Sequence, residues 1–276
     1  RAEASLVPIE SCAVADPRLV AALPLCARLI GLLGSRKGEV RLALTVSKAG
    51  LDIDVTGQKS LDGPLRAELA ALAAEADVAR LSHAGEPVAV RRPPVQPMGR
   101  AQVVPPPGGF LQATPQGEAA LVAAVTEALD GSRTVADLFS GCGTLALPLA
   151  AEASVHAVEA EAAALSALDA AARAAPGLRA VTTERRDLFR RPLLAAELRR
   201  FDGAVFDPPR AGAAALAGTL ADAPLRRLCA VSCNPATFAR DARLLVDGGW
   251  RLDWVQPVDQ FRWSPHVELA AAFSRP

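Results

Sequence analysis

Thr134-Val-Ala-Asp-Leu-Phe-Ser-Gly-Cys-Gly-Thr-Leu-Ala-Leu-Pro-Leu-Ala-Ala-Glu-Ala-Ser-Val-His-Ala-Val-Glu159 is the stretch that decides the fold. A short apolar run, Val135 to Phe139, breaks at Gly141-Cys142-Gly143. An Ala/Leu-rich helical run follows, and Val155 to Val158 reads as a second buried strand closed by Glu159. That is one βαβ unit. Two glycines suit a sharp strand-to-helix turn that a ligand approaches closely, and an acid ending the second strand can take both hydroxyls of a ribose. An adenosine-containing cofactor is therefore expected at this turn.

Two cofactor classes compete for it. Gly141 to Ala146 satisfies the loose dinucleotide pattern G-x-G-x-x-G/A, with Glu159 falling 16 positions after Gly143. Asp137 shifts the balance: an anion beside the turn repels a pyrophosphate and suits the cationic, phosphate-free S-adenosylmethionine.

Working outward, 276 residues with 51% apolar content allow one large domain or two ordinary ones. Thirty basic residues balance thirty acidic ones, so total charge does not point to a polyanionic partner. The five cysteines, Cys12, Cys26, Cys142, Cys229 and Cys233, are odd in number and widely spaced, which argues against a disulfide scaffold and for a reducing, cytoplasmic setting. The greasy stretch Leu19 to Leu33 is broken by Pro24 and Arg28 and is too short to span a bilayer. No membrane segment is expected. The chain begins at Arg1 without a methionine, which suggests a piece of something longer.

Asp16-Pro17 reads as a helix start, Pro24 as a split in that helix, and Gly34 as its stop. Glu39 to Ser47 and Leu51 to Thr56 alternate around Ala49-Gly50 as an antiparallel hairpin, and Leu65 to Ala79 returns to helical spacing. Residues 1 to 95 are thus expected to form a small α+β domain without a reaction centre. Prolines from Pro87 to Pro107 mark an extended junction, with residues 96 to 276 as the catalytic domain. Thr114 can cap a helix from Pro115 to Leu129, which leaves Gln112 just before it.

From Thr134 onward strands alternate with helices: Val135 to Phe139, Val155 to Val158, Arg179 to Thr183, Gly203 to Phe206, Leu228 to Ser232, Trp250 to Val258 and Leu269 to Phe273. The pattern predicts an α/β fold, a doubly wound, mostly parallel sheet of seven strands with ligands at its carboxyl edge. Asp187, Asp207 and Cys233 all follow such strand ends.

Three segments carry chemistry. Asp207-Pro208-Pro209-Arg210 puts an acid and a stiff turn at a strand end; an ordinary strand-to-helix turn is the bland alternative, but two prolines also strip donors and leave carbonyls free to accept from a planar base. Cys26 and Cys229 read as small buried hydrophobes, whereas Cys233 lies where a strand opens and a helix begins near Pro235, a setting that lowers a thiol pKa. Glu268 opens an apolar last strand, where burial raises its pKa and makes it a proton acceptor; the alternative is a solvated strand-end glutamate. His266 is expected to orient its loop by hydrogen bonds, since no spacing suggests a metal site.

Together these segments resemble the uracil-5 RNA methyltransferases, which have a class I methyltransferase sheet. The resemblance covers the whole chain and rests on Phe110-x-Gln112, Asp137-Leu-Phe-Ser-Gly-Cys-Gly143, Asp207-Pro-Pro-Arg-x-Gly212, Ser232-Cys-Asn-Pro235 and His266-Val-Glu268. It implies Cys233 as nucleophile and Glu268 as base, with Gln112, Phe139, Gly141, Thr144, Glu159, Asp187 and Asp207 around S-adenosylmethionine and the target base. It implies an RNA substrate, ribosomal or transfer, with the uridine flipped out or already unpaired.

The family's usual loop Phe-Pro-x-Thr-x-His-Val-Glu reads Phe261-Arg-Trp-Ser-Pro-His-Val-Glu268 here. The N-terminal β-barrel and the three clustered cysteines found in some members are absent from this sequence. Ser11-Cys12 resembles the site of a fourth iron-sulfur ligand, so a cluster is expected only with an upstream cysteine-rich segment; an ordinary thiol is the alternative. Of five arginine pairs, Arg91-Arg92, Arg185-Arg186, Arg190-Arg191, Arg199-Arg200 and Arg226-Arg227, two are assigned to RNA phosphate. A monomer is expected. The competing readings are an NAD-linked dehydrogenase and a non-catalytic RNA-binding relative on the same fold.

Overall fold

The computed structural model describes residues 9–35, 38–57 and 59–275. The chain divides into two compact units, one running to Gln96 and including Val104–Gly108, the other comprising Pro97–Val103 and the chain from Gly109.

In the smaller unit, Asp16 caps helix α1 (Pro17–Ala21) by accepting the Arg18 N–H, and α2 (Leu23–Leu33) restarts after Ala22 with Pro24 in its first turn. Gly34 ends α2 in extended geometry, φ −73° and ψ 154°; what it supplies is room, since a Cβ there would lie 2.5 Å from the Ile30 carbonyl oxygen. Strands β1 (Arg41–Ser47) and β2 (Gly50–Thr56) pair antiparallel with Ser47 opposite Gly50. Helix α3 (Gly63–Glu75) stops four residues short of the expected Ala79, because Asp77 turns the chain at φ +51°. Beyond it lie two strands that the sequence reading did not assign, β3 (Arg80–His83) and β4 (Glu86–Val90), giving the sheet order β1-β2-β3-β4. Leu29, Leu33, Ile53, Val55, Leu69 and Leu81 form the core of this unit. Arg80 donates to both Asp52 carboxylate oxygens, at 2.7 and 2.6 Å, and to the Pro105 carbonyl at 2.8 Å.

The larger unit begins within a two-stranded ribbon, β5 (Gln96–Met98) with β6 (Ala101–Val103), whose Met98 and Val103 pack with Leu147 and Ala171. Helix α4 (Pro115–Ala128) is capped by the Thr114 hydroxyl, which accepts the Gly117 N–H at 3.0 Å. Then come β7 (Thr134–Leu138), α5 (Ala146–Leu149), β8 (Ser154–Glu159), α6 (Ala162–Ala174), β9 (Val181–Arg185) and α7 (Ala195–Leu198). They are followed by β10 (Gly203–Phe206), α8 (Ala214–Ala221), β11 (Arg227–Ser232), α9 (Pro235–Asp247), β12 (Arg251–Val258) and β13 (Glu268–Ser274). The seven strands lie in the order β12-β13-β11-β10-β7-β8-β9, parallel from β11 to β9, with β13 antiparallel to both neighbours. The expected α/β sheet is present. Two clusters of buried side chains cover its faces, one around Leu138, Phe206 and Phe273, the other around Leu121, Val155 and Val231.

Two local expectations shift. The run after β7 forms only the four-residue α5, because Pro148 lacks a donor and the chain continues in short turns. Strand β9 starts two residues later than expected, at Val181.

Candidate active site

Strands β8 and β9 extend from β7 to one side and β10 and β11 to the other, so the order reverses between β7 and β10. A crevice forms outside the carboxyl ends of strands at such a point. Register places the candidate residues around it. Leu138 pairs with Phe206, so Phe139 and Asp207 leave adjacent strands together. Ser232 pairs with Leu269, which sets Cys233 opposite Glu268 as β13 enters against the direction of β11. Residues so opposed have Cα atoms on the order of 5 Å apart.

The turn after β7 is built by opposite demands on two glycines. Gly143, at φ +104°, leaves no room for a side chain, since a Cβ would lie 2.8 Å from Leu147 Cδ1 and 3.0 Å from Leu168 Cγ. Gly141, at φ +54°, has nothing within 4 Å of where a Cβ would stand. One closes the turn on the core; the other leaves the backbone open to a ligand. Phe139 also has positive φ, +67°, its N–H donating to the Val158 carbonyl at 2.9 Å and its ring 5.3 Å from that of Phe189. Thr144 lies in the same turn, half-buried.

Glu159 ends β8 and accepts three backbone N–H groups, from Gly141 at 3.1 Å, Ala160 at 2.6 Å and Glu161 at 3.0 Å. Its carboxylate is fixed at the strand end, and the Gly141 N–H, which a phosphate-binding turn would offer to an anion, is already taken by a negative charge. Asp187 caps the loop after β9, accepting from Phe189 and Arg190 N–H at 3.0 and 3.2 Å. Gln112 lies half-buried ahead of α4, its side-chain carbonyl accepting from Gln260 Nε2 at 2.8 Å.

Asp137 does not act as the anion expected of it. It is fully buried in β7, and desolvation, with the charges of Asp207 and Glu159 and against a backbone hydrogen bond from Ala146, pushes its pKa up to about 8. At neutral pH it is mostly a neutral acid. The carboxylate that meets the Gly141 N–H of the turn is that of Glu159. The buried Ser140 hydroxyl has no hydrogen-bond partner among the described residues. An open glycine, a fixed strand-end carboxylate and an unpartnered hydroxyl fit a neutral or cationic adenosine compound.

Electrostatics at the other strand ends also correct an expectation. Burial first, then the charges of Glu268 and Asp207, raise the Cys233 pKa against the opposing effect of Arg210. The helix start does not reverse this, because Cys233 precedes the cap and Asn234 itself accepts the Ala236 N–H. Cys233 is a resting thiol. Desolvation, then Glu268, pushes Asp207 up to about 7, and burial raises Glu268 as expected for an acid opening an apolar strand.

Residues that sequence reading passed over hold these groups. Asn234 Nδ2 and the Thr237 hydroxyl donate to the Arg210 carbonyl at 3.0 and 3.3 Å, Arg240 donates to the Ala211 carbonyl at 3.1 Å, and buried Asp241 accepts the Ala213 N–H at 2.7 Å. With Gly212 N–H donating to Pro209 at 2.8 Å, the carbonyls of Pro209, Arg210 and Ala211 each accept a hydrogen bond from within the protein. Asp241 sits in an apparently solvated helix pattern, so no signal marked it. His266 makes a hydrogen bond within its loop, the backbone N–H donating to Ser264 Oγ at 3.0 Å, while its ring meets Phe261 edge-on.

Arg92 donates to Ala49 and Asp77 within the smaller unit, and Arg186 bridges Glu184 and Glu197, so neither of those pairs is wholly available to phosphate. Arg190 and Arg191, beside Asp187, are exposed. Cys12 is exposed, and no group of three or more His, Cys, Asp or Glu among the described residues could hold a metal ion. No helix among the described residues is long and apolar enough to cross a membrane.

No family model matches the chain. A curated RNA methyltransferase of Caulobacter vibrioides is 49% identical over 276 residues, covering 98% of this chain and 66% of that protein. One of Mesorhizobium japonicum is 46% identical over 271 residues, covering 98% and 66%. A 23S rRNA (uracil(1939)-C(5))-methyltransferase of Chromohalobacter salexigens is 34% identical over 294 residues, covering 100% of this chain and 60% of its own length. This chain therefore spans about two thirds of the curated relatives it matches. Among solved structures, the Pyrococcus abyssi tRNA (uracil-54, C5)-methyltransferase in complex with S-adenosyl-L-homocysteine superposes with a TM-score of 0.77 at 20% identity, covering 98% of this chain and 69% of that one, and shares its fold. With a class I methyltransferase sheet and relatives of this identity along its length, the chain belongs to the RNA methyltransferase family.

Proposed function

We propose that this protein transfers a methyl group from S-adenosylmethionine to carbon 5 of a uridine in RNA, ribosomal RNA being the favoured class, through a covalent Cys233 adduct. The observation that carries the reading is the register that sets Cys233 opposite Glu268. The names of the 34% identical relative and of the shared-fold structure support it. Neither a dehydrogenase nor a non-catalytic RNA binder has a use for a thiol and a buried carboxylate facing each other across a strand pair.

Gln112, Phe139, Gly141, Thr144, Glu159, Asp187 and Asp207 would hold the cofactor, Glu159 taking the ribose hydroxyls through lone pairs its backbone donors leave. Bound there, S-adenosylmethionine supplies an electrophilic methyl on a sulfonium that departs as a neutral thioether. Carbon 5 of uracil is a weak nucleophile, so Cys233 first adds to carbon 6 and converts the ring to an enolate. The resting thiol must lose its proton to do so; of the two carboxylates that raise its pKa, Asp207 takes that proton, which leaves Glu268 unprotonated for the later step. After methyl transfer Glu268 removes the carbon-5 proton; the carbon 6–sulfur bond breaks, its electrons leave with Cys233, and the ring double bond is restored. The same reading makes the protein a cytoplasmic monomer.

Glu268→Gln tests the order of events. Glutamine keeps the shape but is not basic, so proton removal should slow by about 10² to 10⁴-fold and trap the methylated protein–RNA adduct. Label from methyl-labelled cofactor should then migrate with protein on a denaturing gel, and the band should vanish in Cys233→Ala/Glu268→Gln. Normal turnover by Glu268→Gln would refute the base assignment; methylation by Cys233→Ala would refute the covalent route.

A further inference from the structure

Gln260 precedes the loop that leads to Glu268, is 8% exposed, and reaches back to the segment that carries Gln112. Its stem lies flat on α4, where a Cβ at Gly117 would stand 2.2 Å from Gln260 Cγ, so only glycine admits it. Its amide orientation follows from an unambiguous donor. The Thr114 backbone N–H lies 3.3 Å from Gln260 and can only donate, so the atom facing it is the carbonyl Oε1. Nε2 therefore points the other way, 2.8 Å from Gln112, and requires an acceptor there, Gln112 Oε1. With its carbonyl committed, Gln112 has only its NH₂ left, and that group has no protein partner among the described residues. Thr114 is a stable reference, because its hydroxyl caps α4.

We propose that Gln260 is a positioning residue that sets which end of the Gln112 amide faces the crevice, so that Gln112 offers N–H donors to an acceptor atom of the methyl donor. Gln260 itself touches no reacting atom. The proposal rests on the reading that S-adenosylmethionine binds at this site, and deepens it by fixing the polarity of one contact.

S-adenosylhomocysteine binding to the full 276-residue chain, followed by calorimetry, tests it through a double-mutant cycle. Gln260→Glu keeps the shape but presents an acceptor to Gln112 and turns its amide over; Gln260→Met keeps the stem on Gly117 and removes the amide. Each should weaken binding by about tenfold, the low end for a hydrogen bond to a charged group. In a Gln112→Ala background, itself similarly weakened, neither should cost anything more, because Gln260 acts only through Gln112. A merely structural Gln260 would show equal losses in both backgrounds, and that additivity overturns the proposal while leaving the cofactor reading intact. Unchanged affinity in both Gln260 variants overturns it equally. Failure of the unaltered chain to bind S-adenosylhomocysteine overturns the cofactor reading and the proposal with it.

Discussion

Asp137→Asn removes a buried acid whose protonation the structure specifies, and its effect on stability should depend on pH in a way that a packing change would not reproduce. The folded pKa of about 8 stands above the ordinary 3.8, so between those values the native state holds a proton that the unfolded chain has released. Stability from this group is therefore fully present below the unfolded value and is lost as pH rises toward the folded one, by about 1.36 kcal/mol per pH unit. Asparagine does not titrate, so the variant lacks this slope. Asp207 titrates near 7 and is coupled to Asp137, which makes the interval from about pH 5 to about pH 6.5 the clean one. Across it the variant should gain about 2 kcal/mol relative to the unaltered protein. In a domain of this size that is about 4 to 8 °C of relative Tm. Any constant cost of the amide in that site shifts both ends equally and leaves the slope alone. Thermal or urea melts at several pH values measure it. Parallel stability curves would mean that Asp137 is ionised when folded, and would restore it as the anion beside the turn.

Gly143→Ala forces a Cβ to within 2.8 Å of Leu147 at φ +104°, and should destabilise the larger unit by about 2 to 4 kcal/mol in chemical denaturation; a smaller loss means that the turn can shift. Arg80→Ala leaves Asp52 buried without its bidentate partner and should cost about 3 to 5 kcal/mol, whereas replacing both residues by leucine should recover much of that in thermal melts. Glu159→Ala should weaken S-adenosylhomocysteine by about 1.5 to 3 kcal/mol in calorimetry, and unchanged affinity would remove the ribose assignment.

Much of this protein is legible without coordinates, because the signals are local. Strand periodicity, the Gly141–Gly143 turn and proline placement depend on neighbours within a few residues, so the seven-stranded sheet and the strand-end positions of Glu159, Asp207 and Cys233 could be read in order along the chain. Short-range helical spacing failed where a turn overrode it, as at Asp77 and Pro148, since a single backbone dihedral or a missing donor outweighs weak propensities. What only the tertiary structure decided is the state of the groups. Asp137 looked anionic from its place beside a turn, yet its protonation is set by desolvation and by carboxylates 22 and 70 positions away, Glu159 and Asp207. Cys233 looked activated by a helix start, but burial, with Glu268 arriving on an antiparallel strand, raises its pKa. Gln260 gave no signal at all, since its role exists only where the chain brings it back across 148 residues to Gln112. Folding motifs are written in sequence neighbours; charge and amide orientation are written in spatial ones, because burial and Coulomb interaction depend on distance through space.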